Sequence, residues 1–207
     1  MNLISVNGDD VFLIKRFDRE KNIDEDIDKG TDAKGYYKYH FLSALTVTNR
    51  MESDSHLSSY AEIAAAIRQI SANPKQDLLE LYNRLIFNIF CNNTDDHLRN
   101  HGFLRGKSGY RISPAYDIVP SITSSYTKYL TLNIGKLGKV ASIENALSYV
   151  EKFDISVEEA KQIITKMQTK IQCWRDVYAK CGITSELIEL LGNKDHGAFG
   201  KITVEEK

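Results

Sequence analysis

The sequence predicts a mainly α domain with a small β part, in which a helical bundle carries one hairpin at the N-terminus and a second near the middle of the chain. Apolar residues recur at helical spacing through most of the chain, and two short apolar runs at its start flank a turn sequence. The 207 residues are 42% hydrophobic and 27% charged, which is typical of a globular protein long enough to bury a core.

Charge, cysteine content and apolar run length narrow the functional classes. The chain has 27 Lys plus Arg against 28 Asp plus Glu, so its overall charge gives no reason to expect direct binding to nucleic acid or to a membrane surface. Cys91, Cys173 and Cys181 lie in helical patterns, which favours buried free thiols in a reducing compartment. No segment approaches the ~18 apolar residues that span a bilayer, and the start lacks a signal-peptide pattern. We therefore expect a cytoplasmic protein.

The first residues predict a hairpin. Runs at 3–6 and 11–17 are rich in β-branched and apolar residues, and Asn7-Gly8-Asp9-Asp10 between them is typical of a turn. A hairpin alone cannot hide its apolar face. We therefore expect the rest of a sheet to be absent or supplied elsewhere. The charged stretch that follows, up to Gly35, is predicted to be an exposed connector.

Residues 19–192 are predicted to form a helical lobe of about seven helices. Helical patterns occupy 36–48, 58–70, 74–90, 143–153, 156–180 and 185–191. The third has a wide apolar stripe from Leu78 to Phe90 and is the predicted core helix, whereas the fifth begins at a capping box and carries Trp174 on its apolar face. Strand patterns at 102–104 and 110–112 predict the second hairpin. Residues 193–207 are expected to be a loosely held polar tail.

Polar residues are densest just after the predicted core helix. This segment is N-N-T-D-D-H-L-R-N-H-G-F-L at 92–104, and S-P-A-Y-D-I follows the second hairpin at 113–118. Phosphoryl transfer needs a carboxylate to accept the proton of the attacking hydroxyl, and oxygen ligands to hold Mg. Protein kinases place the catalytic Asp five residues before a metal-binding Asn and a second metal-binding Asp further on. Asp95, Asn100 and Asp117 have that order and spacing.

These two segments resemble the signature of the HipA family of serine/threonine kinases, the toxins of bacterial toxin–antitoxin pairs. The resemblance extends to K-R-F-D-R at 15–19, to F-L-S-A-L at 41–45 and to the Trp174 helix. It implies a protein-kinase-like C-lobe of HipA type, and it implies that the hairpin of residues 1–18 is the hinge-proximal remnant of a small lobe. The roles that it implies are a catalytic base at Asp95, Mg ligands at Asn100 and Asp117, adenine contacts from the backbone at Lys15, Arg16 and Phe17, and support of the catalytic loop by His97 and Arg99.

The resemblance also implies cofactors and partners. These are Mg, ATP, a protein substrate, such as the aminoacyl-tRNA synthetases that family members target, and an antitoxin. The family carries a glycine-rich loop and a phosphate-binding Lys ahead of R-F-D-R, whereas only fifteen residues precede Arg16 here. Two hypotheses follow, an active HipA-like kinase or an inactive or split half that binds a separately encoded N-lobe protein or an antitoxin.

Other interpretations of the same residues are weaker. His97 and His101 have the spacing of a zinc hydrolase, but the glutamate of H-E-x-x-H is missing, so both are expected to shape the loop through hydrogen bonds. Asp95 and Asp96 taken alone would be solvated loop acids. Tyr126 and Lys128, with the lysines that follow them, are expected to form a mixed exposed face rather than a nucleic-acid surface.

Overall fold

The structure, a computed structural model, describes residues 2–21 and 35–200. It begins with the predicted hairpin, in which β1 (Asn2–Val6) pairs antiparallel with β2 (Asp9–Leu13). Asn7 and Gly8 between them have φ values of 54° and 93°, as a two-residue turn between twisted strands requires. The second strand ends at Leu13 and is therefore shorter than the predicted run to Phe17.

Two further sheets combine the predicted second hairpin with chain that was predicted to be connector and helix. Strand β3 (Arg19–Lys21) pairs with β4 (Tyr36–Lys38), and β5 (Phe41–Ser43) pairs with β6 (Gly102–Gly106), which in turn pairs with β7 (Gly109–Ile112). The helix predicted over 36–48 is therefore wrong except for α1 (Ala44–Val47). Aromatic residues favour strands, and pairing with β3 and β6 outweighs a weak helical pattern. Residues 22–34 of the predicted connector lie outside the described residues.

The next two helices match their predictions closely. Helix α2 (Tyr60–Ile70) begins at a capping box made by Ser59 and Glu62. Helix α3 (Pro74–Cys91) has Asn73 as its N-cap and Pro at its first position, and its apolar stripe is fully buried at Leu78, Leu81, Leu85 and Ile86. The prediction of a core helix that leads directly into the polar segment is confirmed.

The C-terminal half is helical, with one break that the pattern did not predict. After α4 (Ile143–Leu147) and a 3₁₀ turn (Val150–Phe153), the helix predicted over 156–180 is divided into α5 (Val157–Ile171) and α6 (Trp174–Lys180). Helix α7 (Ser185–Leu191) follows. The described residues thus contain seven α-helices, the number expected. None of the described helices has the length and apolar content needed to cross a membrane.

The prediction of a loosely held tail is wrong around Ala198 and Phe199. Ala198 and Phe199 are buried, and the Phe199 ring stacks on Trp174 with 4.3 Å between centroids. An apolar pair within an otherwise polar segment is enough to fasten it to the core. Residues 201–207 lie outside the described residues, and the division of the chain at residues 18 and 192 stays a prediction.

The three thiols are in different environments. Cys91 is buried and free, as predicted, and burial raises the pKa of its thiol to about 12. The prediction of burial is wrong for Cys173 and Cys181, which are free but exposed. They occupy the two caps of the short helix α6.

Candidate active site

The polar segment that follows α3 forms a loop, residues 92–101, which we call the motif loop. It leaves the helix through Asn92, whose φ of 52° is left-handed, and the Asn92 Nδ2 donates a hydrogen bond to the Ser121 carbonyl at 2.6 Å. Thr131 Oγ1 donates to the Thr94 carbonyl at 2.7 Å. The loop is therefore fixed on one side by the core helix and on the other by segment 121–131.

Asp95 and Asn100 lie together on this loop. The Asn100 Nδ2 donates to the backbone carbonyl of Asp95 at 3.0 Å, while a single 3₁₀ turn (Leu98–Asn100) occupies the chain between them. The Asp95 side chain is exposed, whereas Asn100 is buried. Because the amide nitrogen is the donor, the amide oxygen is the atom that Asn100 can offer to a cation. The predicted base therefore lies beside one predicted metal ligand.

Asp117 and the predicted nucleotide residues line one cleft. A cavity of about 710 Å³ is bordered by Lys15, Phe17 and Asp117 together with apolar residues that include Phe12. This volume is in the range of small-ligand sites. Asp117 is exposed and has a left-handed φ of 57°, which is uncommon for a residue with a side chain and is often found at functional sites.

Arg16 lies at the edge of the same region. It lines a neighbouring cavity of about 360 Å³ that shares Lys15 and Phe17 with the larger one. Its guanidinium donates to both carboxylate oxygens of Asp18, at 2.8 and 2.6 Å, and lowers the pKa of that carboxyl. The Arg16 side chain is thus directed at Asp18, and the expected nucleotide contact through the backbone of this segment stays a prediction.

Tyr116 connects the cleft to the motif loop. Its hydroxyl donates to the carbonyl of Arg99, so the residue before Asp117 is bonded to the residue before Asn100. Its ring lies 5.7 Å from Phe17, between centroids. Burial raises the pKa of Tyr116 to about 12, which keeps the hydroxyl protonated as a donor. The sequence contained this residue within a motif but gave no sign of its role.

Helix α3 also holds the segment that carries Asp117. The buried Arg84 donates from Nη2 to the Ser113 carbonyl at 2.5 Å and from Nε to Glu80 at 2.9 Å. Two turns before Arg84, buried Asp77 accepts from Arg111 and from the backbone of Ile112. Sequence reasoning missed Arg84 and Asp77. A charged residue within an apolar helical stripe is nevertheless a signal that a buried partner exists.

The two predicted supporting residues are placed differently. Arg99 is exposed and pairs with Glu52 at 2.7 Å, whereas His97 is partly buried and its Nδ1 has no hydrogen-bond partner in the structure. His101 is buried against Asp96, with 3.0 Å between Nε2 and Oδ1. Across residues 2–21 and 35–200, no group of three or more His, Cys, Asp or Glu side chains is arranged to hold a metal. The zinc-site interpretation of the two histidines therefore gains no support.

A mainly helical domain with a polar loop after its core helix is what the sequence predicted, and comparison with known proteins identifies its family. The model of the HipA-like C-terminal domain matches residues 1–174. The chain belongs to this family.

Two curated bacterial relatives are named as kinases. The chain is 25% identical over 142 residues to "Putative kinase Y4mE" of Sinorhizobium fredii, a match that covers 68% of this chain and 32% of that protein. It is 30% identical over 113 residues to "Putative kinase" of Haemophilus influenzae, covering 52% of this chain and 30% of that protein. The matched region is thus about a third of the length of either relative.

A solved structure has the same fold. A chain in the Shewanella oneidensis MR-1 toxin–antitoxin complex of HipA, HipB and operator DNA superposes with a TM-score of 0.72 at 13% identity, covering 91% of this chain and 47% of that one. The fold class, mainly α with small sheets and HipA-like, is therefore confirmed. At this identity the likeness concerns the fold alone.

Proposed function

We propose that this chain is the catalytic lobe of a HipA-type serine/threonine protein kinase, which transfers the γ-phosphate of ATP to a protein hydroxyl with the help of Mg. The observation that carries the proposal is the hydrogen bond from Tyr116 to Arg99. This bond joins the residue before Asp117 to the residue before Asn100, and Asp95 lies on the same loop as Asn100. The kinase names of the relatives support the same class of reaction.

The donors present suit Mg. This ion prefers oxygen ligands and is usually held by one or two protein carboxylates or amides, with water and substrate phosphates completing its shell. Asn100 and Asp117 would supply one amide oxygen and one carboxylate. Bound Mg would neutralise charge on the transferring phosphates.

The chain's own groups have separate tasks in this proposal. The exposed Asp95 carboxylate would orient the substrate hydroxyl and accept its proton. The apolar side chains around Phe17 would cover the adenine face, while the backbone at Lys15 and Arg16 would contact its edge. Asn100 and Asp117 are ligands rather than bases.

The partners and compartment are also part of the proposal. The Shewanella structure contains HipB and DNA together with HipA. By analogy we propose that an antitoxin binds the protein to which this chain corresponds, that the phosphate acceptor is a protein, and that both encounters occur in the cytoplasm.

The first test is thermal unfolding with Mg-ATP. Ligand at about 100 times its dissociation constant should add about 2.7 kcal/mol to the free energy of unfolding, which corresponds to a rise in Tm of about 5–11 °C for a chain of this size. Asp117→Ala should lose this rise, because it removes a metal ligand.

A matched control separates ligand loss from backbone strain. Asp154 is also exposed and has a φ of 56°, but it pairs with Arg68 and is absent from the lining of the Asp117 cleft. Asp154→Ala should therefore lower the Tm of the free protein slightly and keep the full response to Mg-ATP. An equal response in wild type and Asp117→Ala would contradict the proposed metal site.

A second candidate function is a binding module, and the N-terminal hairpin favours it. Ile4, Val6 and Leu13 are 39%, 45% and 47% exposed, and the register places all three on one face of the hairpin. An exposed apolar face on a two-stranded sheet is a surface on which another chain can pack. In this case the partner would be a separately encoded N-lobe protein or an antitoxin, and the chain alone would show no rise in Tm with Mg-ATP.

A further inference from the structure

A group of buried polar side chains lies beneath the motif loop. Tyr60, Asn88, Asn93, Asp96 and His101 are each between 0% and 2% exposed. Burying a polar group costs free energy unless a partner inside the protein compensates it. Five such groups in contact beside one loop indicate an arrangement with a specific purpose.

These side chains form a connected chain of contacts. The Tyr60 hydroxyl donates to Asp96 Oδ2 and accepts from Asn88 Nδ2 at 3.1 Å, and Asn93 Nδ2 donates to Asn88 Oδ1 at 3.2 Å. His101 Nε2 lies 3.0 Å from Asp96 Oδ1, as an electrostatic contact without hydrogen-bond alignment. The network therefore joins the first residue of α2, the last turn of α3 and both ends of the motif loop.

The network repeats the spacing of the proposed site. Asp96 and His101 are five residues apart and point inward. The residues immediately before them, Asp95 and Asn100, are also five apart and are joined by the 3.0 Å hydrogen bond from the amide to the carbonyl. The network pair and the proposed site pair thus span the same piece of chain, so a contact that fixes one separation also fixes the other.

The charge of Asp96 strengthens this constraint. Burial acts to raise the pKa of its carboxyl, but attraction to His101 and the hydrogen bond from Tyr60 outweigh burial and hold the pKa below its usual range. Burial and the neighbouring carboxylate raise the pKa of Tyr60, which keeps its hydroxyl protonated as the donor. A buried carboxylate that moved away from these partners would lose its compensation, so the loop has one strongly preferred position.

We propose that Tyr60, Asp96 and His101 are positioning residues, which hold the motif loop so that Asp95 and Asn100 are presented to the cleft at a fixed separation. This inference rests on the proposed kinase function. The three residues act through their sequence neighbours and not on the nucleotide, in the way that side chains behind a metal ligand orient that ligand.

The test compares Tyr60→Phe with Tyr82→Phe. Both tyrosines are fully buried, but the Tyr82 hydroxyl lies 3.5 Å from the Ala146 carbonyl, away from the motif loop. Affinity for ATP is measured by calorimetry with Mg and again in EDTA. Tyr60→Phe should weaken binding of Mg-ATP about tenfold, as loss of a side chain behind a metal ligand commonly does, and leave binding of metal-free ATP unchanged. Tyr82→Phe should change neither value.

Further outcomes decide between positioning and general stability. If Tyr60→Phe loses the same ATP affinity with and without Mg, Tyr60 only stabilises the fold. If it loses no affinity in either condition, Tyr60 has no positioning role. Both results overturn the inference. Wild-type binding that does not depend on Mg would contradict the proposed function itself, and the inference with it.

A second pair of variants tests the other end of the network. His101→Gln keeps an N–H donor and should retain Mg-ATP affinity within about threefold, whereas His101→Ala should lose about tenfold. If His101→Ala fails to fold, His101→Gln and Tyr60→Phe still test the inference, because each is a mild substitution. Wild-type affinity in a folded His101→Ala would overturn the assignment of His101.

Discussion

Replacing Asp95 by alanine should reduce phosphoryl transfer by about 10²–10⁴-fold, the usual contribution of a positioned general base, and leave the affinity for Mg-ATP close to that of the wild type. Asp95 is bonded to Asn100 only through its backbone carbonyl, which the substitution preserves. Its side chain is exposed, so the free energy of unfolding should change by less than about 0.5 kcal/mol. Transfer of labelled phosphate to a protein acceptor measures the first effect, and calorimetry measures the second.

The matched control for this substitution is Asp176→Ala. Asp176 is also an exposed aspartate, but it lies in the first turn of α6, far along the chain from the motif loop. The Asp176→Ala variant should transfer phosphate at the wild-type rate. Transfer by Asp95→Ala at the rate of Asp176→Ala would remove Asp95 from the reaction, even if the Mg site were confirmed by Asp117→Ala.

Elements with strong local signals were predictable from the sequence. The turn at Asn7-Gly8, the capping box at Ser59 and the Asn73-Pro74 start of α3 each satisfy a backbone requirement within a few residues. Their positions therefore follow from the sequence without knowledge of distant contacts. The motif loop was found for a related reason, since it lies where the apolar stripe of α3 ends.

Elements whose structure depends on distant partners were not predictable. The strands between Tyr36 and Ser43 need β3 and β6 as neighbours, and an isolated segment of this composition shows only a weak helical period. Phe199 seemed part of a polar tail because its partner, Trp174, is 25 residues earlier in the sequence. Pattern reasoning considers one segment at a time and cannot represent such contacts.

The candidate site was likewise predictable only where the signal was local. The identities of Asp95, Asn100 and Asp117 came from spacing, and their roles stay predictions. What the sequence could not show is how these residues are held, by Tyr116 from the cleft side and by Asp96 from the core side. The repeated five-residue spacing in D-D-H-L-R-N-H was visible in the sequence, but only the burial of Asp96 and His101 reveals that one pair points inward.

Phe199→Ala is expected to have the largest effect on stability, lowering the free energy of unfolding by about 3–5 kcal/mol, as truncation of a buried aromatic residue does. The Phe199 side chain is 6% exposed, stacks on Trp174 and meets the Tyr178 ring edge-on at 5.9 Å. Removing it leaves a cavity between α6 and the segment before Gly200. Urea unfolding followed by tryptophan fluorescence measures the loss, with Trp174 as the single reporter.

The effect of Phe199→Ala should reach the site, because the segment that carries Phe199 also holds the chain beside the motif loop. His196 accepts a hydrogen bond from the Thr123 amide at 3.0 Å, and the Gly197 carbonyl accepts one from Lys128 at 2.9 Å. Two residues before Thr123, Ser121 is bonded to Asn92 at the start of the motif loop. We therefore expect weaker Mg-ATP binding in Phe199→Ala even where it remains folded.

The control for the stability measurement is Leu190→Ala, at a side chain that is 50% exposed on α7. This variant should change the free energy of unfolding by less than about 0.5 kcal/mol. Equal stability of the two variants would show that the C-terminal segment does not contribute to the core.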